Sequence, residues 1–265
     1  MSILNQIVAN KRIEIVQSLK NLTISDVKKK ATDTRIPLNF KNALNKDRLS
    51  IIAEVKKASP SKGIIRDDFQ PLEIAKLYHQ NGADCISILT ESKYFQGSID
   101  FLKEIRKAVN IPLLRKDFII DERQIRESYD MGADAILLIV SILTQQQLVT
   151  FQKRATDLGL TCLVEVHSEK ELKVALACDC SLIGINNRNL KTFETNINQS
   201  IKLKSQIPAG ILCVSESGIQ TTQDCDTLYE NGFKAVLVGE TLMRKENPGL
   251  AIPELLGRQN VATQD

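Results

Sequence analysis

The sequence predicts a single (β/α)8 barrel of the α/β class, a TIM barrel, preceded by an N-terminal helical extension. Three observations lead to this prediction: the chain has 265 residues, short β-branched runs recur after residue 50, and amphipathic helical stretches separate them. One such barrel needs about 250 residues, so this length suits one barrel better than two ordinary domains. We expect the extension to occupy 1–45 and the barrel catalytic domain 46–265.

The extension is predicted from helical spacing. Apolar residues recur at intervals of three or four from Ile3 to Leu19, with Lys11 between them. A second short helix is predicted to begin at Ser25, whose hydroxyl can cap it. We interpret the extension as packed on the main body, as a solvated surface helix or lid.

The predicted strands begin about 20 to 33 residues apart, the length of one strand–helix unit. Several are apolar at nearly every position, which is typical of parallel strands buried on both faces. They are Ser50–Val55, Asp84–Thr90, Pro112–Lys116, Asp134–Val140, Thr161–Val166, Ser181–Asn186, Ile211–Ser215 and Lys234–Val238.

A repeated glycine supports this order. Gly82, Gly132 and Gly232 each follow a predicted helix and lead into a strand, and glycine supplies the left-handed residue that ends a helix. The rival fold is a doubly wound open sheet. That sheet would normally carry a G-x-G-x-x-G turn after its first strand, and this sequence has none there.

Composition excludes several classes of function. The net charge of +3 is spread along the chain and predicts no nucleic-acid partner. The longest apolar run, Ala135–Leu143, is too short to span a bilayer, and the N-terminus lacks a signal peptide. We therefore predict a cytoplasmic protein with no membrane partner. The six cysteines form no C-x-x-C pair and are interpreted as reduced thiols rather than a metal site.

Charged and amide side chains stand at the ends of five predicted strands. Alternation points Glu54 and Lys56 the same way at the end of the first strand. Because the active site of this fold lies at the carboxyl ends of the strands, we expect the whole set to converge there. Its other members are Lys116, Glu165, Asn186 and Glu216.

These residues also have structural interpretations. Any single lysine–glutamate pair could be a structural ion pair. Arg115 could face the helix layer or solvent, which would leave Lys116 facing the barrel axis. His167 is expected in a loop and is assigned no role.

A phosphate site is predicted after the last two strands. Ser217 and Gly218 follow the seventh strand, and Gly239 and Glu240 follow the eighth. Barrels often hold phosphate with these two loops, where glycine lets backbone amides approach an anion. The alternative is that both are ordinary turn glycines. The loop at 57–63 could close over an anion but lacks a P-loop motif.

Seven segments in order resemble the indole-3-glycerol-phosphate synthase family and, with the extension, span nearly the whole chain. They are IAEVKKASPSKG at 52–63, SILTESKYF at 87–95, LRKDF at 114–118, LVEVH at 163–167, INNRNL at 185–190, SESGI at 215–219 and VGETLM at 238–243. This family converts 1-(2-carboxyphenylamino)-1-deoxyribulose 5-phosphate to indole-3-glycerol phosphate in tryptophan biosynthesis, releasing carbon dioxide and water. The resemblance implies a carboxy-lyase that uses a small phosphorylated substrate and no cofactor or metal. Other tryptophan-pathway enzymes are candidate partners.

The resemblance also implies a role for each matching residue. Lys116 looks like the general acid for ring closure, Glu165 like the acid/base of the later dehydration, and Lys56 like the anchor of the substrate carboxylate and a second proton donor. Glu54, Asn186 and Glu216 would position hydroxyls and lysines, and Arg188 would support Glu165 and the ring substituents. Phosphate would be bound by Ser217, Gly218, Gly239 and Glu240 with Lys56 and Ser59, and the aromatic ring by Leu89, Phe95, Phe118, Leu137 and Leu190.

The sequence departs from the family pattern at Glu240, where some members carry serine, and at Asn189, where aspartate is common. Three other functions remain compatible with the sequence. A phosphoribosylanthranilate isomerase would use a cysteine/aspartate pair, but no cysteine ends the first strand. The others are a lysine Schiff-base aldolase and a non-catalytic barrel that binds a phosphorylated ligand or serves as a scaffold.

Overall fold

Eight parallel strands form a closed barrel in the computed structural model, which describes residues 2–20, 23, 35–189 and 192–258. Each strand pairs with the next along the chain, and the last pairs with the first, with Ser50 opposite Ala235. The barrel is therefore confirmed, and each observed strand end lies within one residue of its prediction. The strands are β1 Ser50–Val55, β2 Cys85–Leu89, β3 Leu113–Lys116, β4 Ala135–Ile139, β5 Thr161–Val166, β6 Leu182–Asn186, β7 Leu212–Glu216 and β8 Ala235–Val238.

Helices precede the barrel and connect its strands. The extension contains α1 Ile3–Ser18, capped by the Ser2 side chain. The helix predicted at Ser25 lies outside the described residues, and the division between residues 45 and 46 stays a prediction. The other helices are α2 Phe40–Leu44, α3 Pro71–Gln80, α4 Ile99–Ala108, α5 Glu122–Asp130, α6 Gln145–Asp157, α7 Glu169–Ala177, α8 Asn198–Lys204, α9 Thr222–Glu230, α10 Glu240–Met243 and α11 Ala251–Leu255.

Local sequence sets where several helices begin and end. Thr144 and Gln147 form a capping box at α6, in which each side chain accepts a hydrogen bond from the backbone amide of the other. Gly82, Gly132 and Gly232 lie at φ +82°, +99° and +81° after α3, α5 and α9. The helix stops predicted from these glycines are therefore confirmed.

The amino end of the barrel is closed by α2. Phe40 and Leu44 are fully buried in the cluster of side chains that fills the barrel interior, and the Ser50 hydroxyl donates to the Leu44 carbonyl at 3.1 Å. Asp84, immediately before β2, is bound by Arg48 at 2.7 Å and by the Ile51 amide at 2.9 Å. A buried charge at this position is compensated by these partners.

The opposite, carboxyl end of the barrel is covered by α1. The Lys11 side chain is 1% exposed and its Nζ lies 2.9 Å from Asp117 Oδ1, just beyond β3. Ile3, Leu4 and Ile7 line the cavity at this end. The extension is therefore packed on the barrel, as expected, and forms part of the cavity wall. None of the described helices is long and apolar enough to cross a bilayer.

Candidate active site

A cavity of about 850 Å³ opens at the carboxyl ends of the strands. Every predicted site residue lines it except Leu190, which lies outside the described residues. This convergence follows from the topology, because parallel strands of a closed barrel all end at the same mouth. The lining residues from the prediction are Glu54, Lys56, Ser59, Leu89, Phe95, Lys116, Phe118, Leu137, Glu165, Asn186, Arg188, Glu216, Ser217, Gly218, Gly239 and Glu240.

Lys116 lies at the centre of the charged residues. Its Nζ donates to Glu165 Oε2 at 2.8 Å and to Glu216 Oε2 at 2.7 Å. The preceding residue, Arg115, is buried in the helix layer, where it binds Asp117 and Glu127. The interpretation that Arg115 faces the helices and Lys116 the barrel axis is confirmed.

The pKa values of this cluster are strongly perturbed. Burial acts to lower the pKa of Lys116, but Glu165 and Glu216 outweigh it and raise that pKa above its usual value. Burial acts to raise the pKa of Glu165, but the charges of Lys116 and His167 hold it at about 2. Burial and the neighbouring Glu165 raise the pKa of Glu216 to about 7, against the effect of Lys116. Near neutral pH the lysine is therefore charged, and Glu216 is the carboxylate that takes up a proton.

A second ion pair joins Glu54 and Lys56, with Nζ 2.6 Å from Oε2. Two glycines lie against these ion pairs. A Cβ at Gly239 would lie inside contact distance of Glu54 Oε2 and 2.9 Å from Lys56 Nζ, and a Cβ at Gly184 would overlap Glu216 Oε1. These glycines leave room for the charged side chains to meet at the mouth.

One wall of the cavity is apolar. The rings of Phe95 and Phe118 pack at 6.0 Å between centroids, and Leu89 and Leu137 lie on the same lining as the apolar residues of α1. Such a wall can bury one face of a flat aromatic ring.

Cations surround another part of the lining. Lys62, Arg188 and Arg244 face the Glu240 carboxylate at 3.9, 3.7 and 2.9 Å. The adjacent Ser217 and Gly218 both have positive φ, +69° and +76°, which is uncommon for serine and marks a constrained turn. This cationic end of the cavity combines basic side chains with a turn that contains glycine, which are features that phosphate sites in proteins commonly use.

Two features of the site were not expected. His167 lines the cavity, and its Nε2 lies 3.4 Å from Glu165 Oε1. Arg188 Nη1 donates to the Phe193 carbonyl at 3.0 Å, and the support of Glu165 by Arg188 that the resemblance implies stays a prediction. Among the described residues, the basic side chains that lie against the Glu165 carboxylate are Lys116 and His167. Alternation along β5 could have indicated His167, since residues two apart share a face.

The cysteines lie away from this site. All six are free, and none belongs to the described lining of the cavity. The cysteine acid that the rival isomerase would need is therefore absent from the described walls.

Comparisons with known proteins agree with this geometry. The family model described as indole-3-glycerol phosphate synthase matches residues 4–255. Indole-3-glycerol phosphate synthase from Acetivibrio thermocellus is 52% identical over 245 residues, covering 91% of this chain and 94% of that protein. The protein of the same name from Halalkalibacterium halodurans is 54% identical over 216 residues, covering 81% and 84%.

Solved structures show the same fold at much lower sequence identity. 3-Hexulose-6-phosphate synthase from Salmonella typhimurium has a TM-score of 0.63 and 12% identity, and the match covers 80% of this chain and all of that one. This likeness supports the barrel alone. The family model and the two close relatives show more: the chain belongs to the indole-3-glycerol phosphate synthase family.

Proposed function

We propose that this protein converts 1-(2-carboxyphenylamino)-1-deoxyribulose 5-phosphate to indole-3-glycerol phosphate, with loss of carbon dioxide and water. The observation that carries the proposal is Lys116, held between two carboxylates over a cavity with an apolar wall and a cationic end. These three features match the carbonyl, the aromatic ring and the phosphate of the substrate. Family membership supports the same reaction.

Ring closure requires a proton donor at the carbonyl. The aromatic carbon that bears the carboxylate attacks the ketone carbon, and the carbonyl oxygen accepts a proton from Lys116 Nζ. The carbon–carbon bond to the carboxylate then breaks and carbon dioxide leaves, which restores the aromatic ring. An ammonium group whose charge is secured by Glu165 and Glu216 stabilises the developing alkoxide before protonating it.

Dehydration requires a base beside the same carbon. Glu165 is ionised, because its pKa is held at about 2, so it can accept the proton from the carbon next to the one that carries the new hydroxyl. That hydroxyl leaves as water after protonation by a lysine. The role of substrate-carboxylate anchor and second proton donor is assigned to Lys56, whose Nζ lies 2.6 Å from Glu54 Oε2.

The proposal is tested by incubating the purified protein with the carboxyphenylamino substrate and following its absorbance. We expect the indole chromophore to form, with one equivalent of carbon dioxide released. The gene should also restore growth without tryptophan to a bacterium lacking this step. An unchanged spectrum with correctly folded protein would contradict the proposal, and borohydride trapping of a substrate adduct on Lys116 or Lys56 would favour the aldolase rival. A cytoplasmic location and contacts with other tryptophan-pathway enzymes stay predictions.

A further inference from the structure

His167 lies between two carboxylates at the edge of the cavity. Its Nε2 is 3.4 Å from Glu165 Oε1, and its Nδ1 is 3.3 Å from Glu171 Oε2. The side chain is 11% exposed, and no described residue forms a hydrogen bond with Nε2. The proposed roles of Lys116 and Glu165 do not account for this arrangement.

Hydrogen bonds to the backbone of His167 fix the position of its imidazole. The His167 amide donates to Glu171 Oε2 at 2.8 Å, and the His167 carbonyl accepts from Gln199 Nε2 at 3.0 Å. Glu171 is itself fixed at the start of α7, because its amide donates to the Ser168 hydroxyl that caps the helix. The ring position is therefore set by α7 and α8 before any substrate binds.

This geometry favours a protonated ring. A neutral imidazole that donates Nδ1–H to Glu171 would turn the lone pair of Nε2 toward the Glu165 carboxylate, which is repulsive. Protonation replaces that repulsion by two attractive contacts. Burial acts to lower the pKa of His167, but Glu171, Glu165 and Glu216 together raise it.

The charged groups around the ring come from three elements besides its own loop. Glu165 faces it from β5 and Glu171 from α7, and Glu216 acts on it from β7. The cation Lys116 binds Glu165 through Oε2, whereas His167 faces Oε1. Lys116 and His167 therefore lie against different oxygens of the Glu165 carboxylate.

We propose that His167 is a positioning residue which, as an imidazolium held by Glu171, keeps the Glu165 carboxylate ionised and oriented toward the substrate. The inference rests on the proposed function, since it assigns His167 to the dehydration base of that reaction. Without this cation, Lys116 alone would balance the negative charges of Glu165 and Glu216. The proton that Glu216 takes up would then be shared with Glu165. A protonated Glu165 cannot act as the base.

The charge of His167 can be measured without any substrate. The chain has only two histidines, so the signal of His167 is readily assigned in an NMR titration. We expect the titration midpoint of His167 to lie above the value of about 6.5 that an unperturbed histidine has, and Glu171→Gln to lower that midpoint. Asp224→Asn, the same charge change in the capping box of α9, is the matched control and should leave the midpoint unchanged. A midpoint for His167 below about 6.5, or one that Glu171→Gln does not move, would overturn the inference even if the enzyme is fully active.

The kinetic test uses the chemistry of the ring itself. We expect His167→Ala to lower kcat roughly 10- to 100-fold, the equivalent of one charged hydrogen bond, with little change in KM. Added imidazole should restore part of the activity, more at pH 6 than at pH 8, because only imidazolium carries the required charge. His167→Asn, a smaller change to the packing, should show the same loss of kcat. A loss of kcat that imidazole does not restore, or a restoration that does not depend on pH, would show that His167 has a structural role instead. Wild-type protein that fails to turn over the substrate would contradict the proposed function and not the charge of His167.

Discussion

Replacing Lys116 with alanine should remove turnover while leaving the binding of substrate largely intact. A positioned proton donor contributes about 10²- to 10⁴-fold in rate, which corresponds to roughly 3 to 5 kcal/mol of activation free energy. The same change removes the ammonium that lies 2.8 Å from Glu165 and 2.7 Å from Glu216. Two buried carboxylates without that cation cannot both ionise, so the pair should hold a proton to higher pH than in the wild type. The retained proton prevents Glu165 from acting as the dehydration base, so the loss of kcat should lie near the upper end of the range, about 10⁴-fold.

The assay separates chemistry from binding. The rate is followed by the appearance of the indole product, and affinity by calorimetry with an unreactive analogue in which the substrate carbonyl is reduced to an alcohol. The affinity should change little, because the cationic end and the Phe95–Phe118 wall are untouched. Lys76→Ala, which removes an exposed lysine paired with Glu73 on α3, serves as the control. Turnover of Lys116→Ala within tenfold of the wild type, or a loss of analogue affinity that matches the loss of rate, would refute this reasoning.

Three further predictions concern the surroundings of the site. Gly239→Ala should raise KM and lower kcat by at least about tenfold, because a Cβ there displaces Glu54 and Lys56; wild-type kinetics would show that these side chains move aside freely. In the wild type kcat/KM should fall as pH rises through 7, because Glu216, whose pKa is about 7, becomes ionised and makes Lys116 a weaker acid. Glu216→Gln should remove this fall. A pH–rate profile of Glu216→Gln that still shows the fall would assign it to another group. Arg115 and Lys11, against the effect of burial, lower the pKa of Asp117 to about 2, so the stability that ionised Asp117 contributes is present above about pH 4 and is lost as pH falls toward 2. Urea unfolding should show a loss of about 2 kcal/mol over this range, smaller in Asp117→Asn; an equal loss in both proteins would rule out Asp117 as the cause.

The strands and most of the site could be predicted because local patterns determine them. A run such as 135–139 is apolar at every position, which is typical of a short strand buried on both faces. Once eight such strands close into a barrel, their carboxyl ends converge. Residues as far apart in sequence as Lys116 and Glu216 then meet at 2.7 Å.

Other features depend on contacts that no local pattern encodes. The sequence pattern predicts that Lys11 is a polar residue on an amphipathic helix. Its side chain is instead buried against Asp117, more than a hundred residues later in the sequence. Gly184 interrupts an apolar strand for a reason visible only in three dimensions, since it makes room for Glu216. The support of Glu165 by His167 in addition to Lys116 depends on the start of α7, where Glu171 fixes the imidazole.

The assignment of Lys116 as the proton donor is tested most directly by a crystal structure with the reduced substrate analogue bound. The alcohol oxygen of the analogue marks the position of the reacting carbonyl oxygen. We predict that it lies within hydrogen-bond distance of Lys116 Nζ, roughly 2.6 to 3.2 Å, with the carboxylate of the analogue near Lys56. An alcohol oxygen bound to Lys56 and out of reach of Lys116 would contradict the assignment.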